Sequence, residues 1–190
     1  MDIVSRPAHT RRMEASSRSL ARWGAVAACL GAISYGAWGY LDNPDASGFV
    51  IGVVGPVLRV ATPGLFLGGL VGLYPRTGRG GGPLLRIALP VVSAGTVLGL
   101  LDGLDWWEPD WWILLLVGLT AVGLDMVFGE ASRLLGVVMF ASGALGWGSL
   151  LTDPAFSGVL VPTYLVHVAF AALFCLSCLA WGVALFREAS

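Results

Sequence analysis

Residues 111–128 read WWILLLVGLTAVGLDMVF, an uninterrupted apolar run with a single charged side chain, Asp125. A helix of about 20 residues crosses the hydrocarbon core of a bilayer, which is about 30 Å thick. Backbone groups in lipid must be satisfied within their own segment, and the run lacks the alternation of a membrane barrel strand. It therefore predicts a transmembrane helix.

Five further runs share this character and predict an all-α polytopic membrane protein with six transmembrane helices. The predicted spans are residues 20–41, 49–74, 86–104, 111–128, 134–151 and 159–186. Residues 1–19 are polar and predict a disordered tail, so that residues 20–187 form one domain. The composition agrees, because only 12% of the residues are charged against about 25% in soluble domains. Nor does the chain have the basic excess of a nucleic-acid-binding protein.

The charges outside the spans separate by side and predict the topology. One side carries ten of the 11 basic residues, which are Arg6, Arg11, Arg12, Arg18, Arg22, Arg76, Arg79, Arg86, Arg133 and Arg187. The other side carries the acids Asp42, Asp45, Asp102, Asp105, Glu108, Asp110 and Asp153. The positive-inside rule then predicts that both termini are cytoplasmic. We expect a multi-pass protein in the plasma membrane of a prokaryote, with the lipid bilayer as its surroundings.

Arg59 is the remaining basic residue, and it lies inside the second predicted span. Counted from Phe49 at about 1.5 Å per residue, it lies about 15 Å down, near the middle of the bilayer. A charge at that depth is costly and is by default a functional-site hypothesis. Asp125, the only acid within the fourth span, is the expected partner. The alternative is that Phe49–Leu58 lies shallowly, so that Arg59 reaches an interface.

Two further polar side chains complete a hypothetical substrate or ion pathway. His167 and Tyr164 lie in the first half of the last predicted span, and histidine is a candidate for proton relay because it titrates near physiological pH. The alternative for His167 is a hydrogen bond between packed helices. The sequence shows no Ser–His–Asp set, no paired carboxylates and no cluster of metal ligands. We therefore predict no catalytic residue, no metal and no cofactor.

The segment Cys175-Leu176-Ser177-Cys178 places two cysteines on one helical face. It resembles the redox-active motif in the last helix of the vitamin K epoxide reductase family, which implies a thiol oxidoreductase that uses Cys175 and Cys178. That family has a second cysteine pair in an outer loop, whereas the third cysteine here, Cys29, lies in the first predicted span. The alternative is that the cysteines fill space in a helix interface.

Glycines at four-residue spacing predict close helix packing. Gly64, Gly68 and Gly72 share a face of the second span, and Gly95, Gly99 and Gly103 share a face of the third. Such faces let helix backbones approach each other in lipid. The two spans are consecutive, so we expect these faces to pack on each other. A dimer interface is the alternative.

These observations lead to three functional hypotheses. The first is a non-enzymatic protein that passes a small solute or ion, or supports a membrane partner, with a midplane polar site of Arg59, Asp125, His167 and Tyr164. The second is the thiol oxidoreductase. The third is an assembly factor that packs through its glycine faces, as a homo-oligomer or with another membrane protein.

Overall fold

A computed structural model of the chain describes residues 8–41, 48–77, 82–103, 111–129, 132–152 and 163–190. These residues form helices and turns, and no strand occurs among them. The helices are α1 (Ala8–Leu41), α2 (Gly48–Val71), α3 (Tyr74–Thr77), α4 (Pro83–Gly103), α5 (Trp111–Phe128), α6 (Arg133–Thr152) and α7 (Thr163–Ala189). Five of the six predicted spans therefore match observed helices to within a few residues.

The first helix differs from its prediction. It begins at Ala8, whereas the sequence predicted a disordered tail over residues 1–19 and a helix from residue 20. Polar side chains do not prevent a helix there, because a helix that leaves the membrane can continue in water. α1 is thus much longer than a bilayer is thick.

Five helices are long and apolar enough to cross a membrane, which makes the chain a multi-pass membrane protein by length and composition. They carry the segments Gly52–Val71, Pro83–Asp102, Trp111–Phe128, Arg133–Thr152 and Val166–Ala189. α1 is not among the five. Its apolar half is less hydrophobic than the other helices, because it is rich in Ala and Gly and contains Ser34, Tyr35 and Trp38.

The six long helices form a ring. Each packs against the preceding and following long helix in the chain, and α1 packs against α7 to close the ring. Neighbours run antiparallel, as the α1–α7 contacts show. Cys175 of α7 lies beside Gly36 of α1, and Gly182, about two turns later in α7, lies beside Cys29, about two turns earlier in α1. The start of α1 and the end of α7 therefore lie at the same end of the bundle.

The two ends of the bundle differ in charge. The end that carries the start of α4 and of α6 bears exposed arginines at 22, 86, 133 and 187, and we call it the basic end. The opposite end carries the last turn of α4, with Asp102, and the first turn of α5, with Trp111, and we call it the acidic end. These four arginines therefore lie at one end, as the sequence predicted. Of the acids predicted for the other side, the structure describes Asp102, and the others lie outside the described residues.

Most glycines of the two faces pack within the chain, but against other helices than the sequence predicted. A Cβ atom on Gly24 of α1 would lie 2.6 Å from the Cα of Gly72, so this part of the α2 face packs against α1. A Cβ atom on Gly95 would lie 2.7 Å from the backbone N of Leu115, so this part of the α4 face packs against α5. Gly64 meets the side chain of Leu100 on α4 and not a glycine, so the expectation that the two faces pack on each other is wrong. These contacts lie within the chain, as the intramolecular interpretation required.

Large apolar side chains fill the centre of the ring. Phe66 and Leu70 on α2, Leu115 and Leu119 on α5, and Phe174 and Trp181 on α7 surround a space that does not admit a water molecule. Trp181 reaches α2, where a Cβ atom on Gly69 would lie 3.1 Å from the end of its ring. The space that these six side chains enclose is thus packed and apolar.

Candidate functional site

Three polar side chains meet at the acidic end of the bundle. Nη2 of Arg59 on α2 donates to Oδ1 of Asp102 at 3.2 Å, and the two groups form an ion pair. Nε1 of Trp111, the first residue of α5, donates to Oδ2 of the same carboxylate at 3.2 Å. Asp102 therefore joins three helices through its two oxygens. Its side chain is 17% exposed, and that of Arg59 is 38% exposed.

The position of this cluster brings the side chain of Arg59 to one end of α4. Asp102 lies in the last turn of α4, and Trp111 opens α5. Arg59 itself is in the middle of α2, which runs from Gly48 to Val71. Its long side chain therefore extends from the middle of one helix toward the end of another, and its depth in the membrane stays a prediction.

The segment of α2 that precedes Arg59 has few contacts within the bundle. A Cβ atom added to Gly52 or to Gly55 would have no heavy atom within 4 Å. Val53 and Val57 are exposed. Gly52–Val71 is long and apolar enough to cross a membrane, so this segment belongs to a candidate span and presents these side chains to the surroundings of the bundle.

Asp125 lies at the other end of the bundle, and its predicted pairing with Arg59 is wrong. Its Oδ2 accepts a hydrogen bond of 2.8 Å from the backbone N–H of Gly82, immediately before α4 begins at Pro83. Gly82 and Asp102 are separated by the length of α4, about 30 Å at 1.5 Å per residue. No side chain spans that distance. Asp125 is buried, with 8% exposure.

The hydrogen bond to Gly82 explains how a buried carboxylate is accommodated in α5. The first N–H groups of a helix have no partner within the helix, and the helix dipole is positive at this end. A carboxylate at the start of α4 accepts a hydrogen bond from one of these N–H groups and places its negative charge at the positive end of the helix dipole. Gly82 is needed because a Cβ atom there would lie 3.0 Å from Cγ of Asp125.

His167 has a helix-packing contact of its own. Its Nδ1 lies 2.9 Å from the backbone O of Ser149 on α6, and Ser149 is one turn from the end of that helix at Thr152. This contact matches the alternative of a hydrogen bond between packed helices. The side chain of Tyr164 lies outside the described residues. The structure thus gives Arg59, Asp125 and His167 separate partners and does not bring them together in one pathway.

The three cysteines are free thiols at two helix interfaces. Cys175 faces α1, where a Cβ atom on Gly36 would lie 3.5 Å from its Sγ. Cys178 is fully buried and lies beside Ser142 of α6. Cys29 approaches the backbone O of Leu179 at 3.9 Å. The two members of the motif therefore face different neighbours, which favours the space-filling interpretation over the redox one.

Sequence reasoning missed the contacts that organise the acidic end. Asp102 was assigned to the acids of one membrane side, and Trp111 was not singled out, so neither was considered as a partner of Arg59. A buried hydrogen bond between Ser34 Oγ and Thr62 Oγ1, at 2.7 Å, was also missed. The signal in the sequence was an acid at the end of one span and a tryptophan at the start of the next.

An aromatic cluster lies in the half of the bundle toward the acidic end. The ring of Phe174 lies 5.2 Å from that of Tyr35, 6.3 Å from that of Phe66 and 6.4 Å from that of Trp112. Trp112 also meets Tyr35 edge-on at 5.3 Å. These contacts connect α1, α2, α5 and α7 through the centre.

Comparisons with known proteins add no assignment. The chain matches no protein family, no curated protein and no solved structure. Among the described residues, no three His, Cys, Asp or Glu side chains come together in a way that could hold a metal ion. The geometry of the bundle is therefore the basis for a proposed function.

Proposed function

We propose that the chain is a six-span protein of the plasma membrane, with both termini in the cytoplasm, that supports a membrane partner. It acts without catalysing a reaction and without conducting a solute through its own centre. The observation that carries this proposal is the apolar interior, where Phe66, Phe174 and Trp181 occupy the space that a pathway would need. A solute pathway requires polar groups or water along its length.

The ring supports α1 as the sixth span. α1 packs along α2 and α7, both of which are long and apolar enough to cross a membrane. Its buried face consists of small side chains, Ala21, Ala25, Ala28 and Ala32. These residues lower its hydropathy, but they allow the close approach on which helix association in lipid depends. The exposed arginines of the basic end support a cytoplasmic location for that end.

A flux measurement tests the exclusion of a pathway. The purified protein is reconstituted into vesicles that contain dyes sensitive to protons or potassium, with gramicidin as the positive control. We expect fluxes equal to those of protein-free vesicles. A flux that the wild type supports and that Arg59→Gln or Asp125→Asn abolishes would replace this proposal with solute or ion permeation.

Photo-crosslinking tests the partner. A photoreactive amino acid is placed singly at exposed positions on different helices in native membranes: Val97, Val137 and Leu176. A supporting protein should give an adduct with one defined membrane protein from one face of the ring, while the other faces give lipid adducts. An adduct of twice the chain mass would identify the partner as a second copy. Lipid adducts at every position would contradict the proposal.

A further inference from the structure

The contact between α2 and α4, which we call the α2–α4 seam, differs from the other contacts of the ring. It is the least extensive of the six. At four of the other five contacts glycines bring backbones together, as at Gly24 against Gly72 or Gly136 against the backbone N of Val127. In the α2–α4 seam Gly64 meets only the end of the Leu100 side chain, 3.4 Å from an added Cβ atom. This is an ordinary van der Waals contact with the flexible end of a side chain.

The helices on both sides of this seam contain prolines. Pro56 and Pro63 lie inside α2, and Pro90 lies inside α4. The other long helices that the structure describes have none within their bounds. Proline has no N–H, so Pro63 cannot donate to the carbonyl of Arg59, and Pro90 cannot donate to that of Arg86. Helices bend most readily at such positions.

Polar contacts connect the two helices across the seam. Toward the acidic end the connection is the ion pair of Arg59 and Asp102, at 3.2 Å. Further toward the basic end Tyr74 Oη and Ser93 Oγ lie 3.5 Å apart in an exposed position. Contacts of this kind break and re-form without the cost of creating a cavity, unlike the glycine contacts at the other seams.

We propose that the bundle opens to the bilayer at the α2–α4 seam, that the Arg59–Asp102 ion pair holds the seam closed, and that the open form admits a lipid acyl chain. The ring order places α4 between α2 and α5, so opening this seam exposes the central residues Phe66, Leu70 and Leu119. Their apolar lining suits a hydrocarbon chain, which the surrounding bilayer supplies. This inference does not depend on the identity of a partner protein.

Photolabelling from the membrane tests the opening. The protein is reconstituted into phosphatidylcholine vesicles in which part of the lipid carries a diazirine on the acyl chain, and adducts are located by mass spectrometry. We expect adducts on the central residues in addition to the exposed faces. We expect Arg59→Gln to raise the central labelling about fivefold, the factor that loss of one partly exposed, charge-assisted hydrogen bond brings.

Ser34→Ala is the matched control, because it removes a buried polar contact to Thr62 at the α1–α2 seam. It should leave the central labelling at the wild-type level. Asp102→Asn replaces Arg59→Gln if that variant does not fold, and hydrogen exchange of the wild type provides a second readout. Amides of residues 59–66 and 86–93 should exchange faster than those of residues 116–122 and 139–146. Adducts confined to the exposed faces, or exchange that is equal in the two pairs of segments, would overturn the proposal.

Discussion

Arg59 and Asp102 form an ion pair that joins α2 to α4 at the acidic end of the bundle, with 3.2 Å between Nη2 and Oδ1. The carboxylate is the less exposed partner, and it also accepts the indole N–H of Trp111. Breaking the pair therefore leaves a poorly hydrated carboxylate with one donor fewer. The pair lies where the ring has its smallest helix contact. It therefore makes up a larger share of the interactions that hold these two helices together than it would at another contact of the ring.

The first prediction concerns the coupling between these two side chains. Arg59→Gln and Asp102→Asn should each lower the free energy of unfolding by about 1 kcal/mol, toward the low end for charged hydrogen bonds because Arg59 is partly exposed. The double variant should lose less than the sum of the two. Unfolding in mixed detergent micelles measures the cycle. Strictly additive losses would show that the two side chains do not interact in the membrane protein.

The second prediction compares two buried tryptophans. Trp111 donates to Asp102, whereas Nε1 of Trp181 is buried without a hydrogen-bond partner among the described residues. Trp111→Phe should destabilise the protein by about 1–3 kcal/mol more than Trp181→Phe, because it removes a bond to a charged acceptor. Each substitution shrinks the ring in the same way, so each serves as the control for the other. Equal losses in thermal unfolding would refute a role for the Trp111 hydrogen bond.

The third prediction concerns the contact between Gly82 and Asp125 at the basic end. Gly82→Ala should cost about 1–3 kcal/mol, because the added methyl group would overlap the carboxylate. Gly52→Ala, where nothing lies within 4 Å, should be neutral or stabilising, since alanine favours a helix. In an Asp125→Ala background the cost of Gly82→Ala should largely disappear. A cost that persists there would mean that something other than the carboxylate excludes the side chain.

The fourth prediction concerns the cysteines. All three are free, and Cys178 is fully buried, so the protein in native membranes should contain three thiols before and after treatment with a reductant. Alkylation under denaturing conditions, followed by mass spectrometry of the intact chain, counts them. Two thiols that appear only after reduction would restore the oxidoreductase hypothesis. In the folded protein Cys178 should remain unmodified by a maleimide while the denatured chain reacts fully.

The sequence was sufficient for the features that depend on local composition. Apolar length predicted the bounds of α5, and those of α2, α4, α6 and α7 to within a few residues, because a chain in lipid has to satisfy its backbone within each segment. The distribution of the arginines predicted the basic end of the bundle. The start of α1 was not predicted, because a helix that continues into water has no hydrophobic signal.

The tertiary structure alone decided which side chains meet. The order of helices around the ring and the rotation of each helix about its axis determine that Gly72 faces Gly24 and that Asp102, not Asp125, reaches Arg59. Depth was counted from the start of an apolar run, but the level of a residue depends on the neighbours against which its helix packs. Hydropathy is a property of one segment, whereas a contact depends on the relative position and rotation of two.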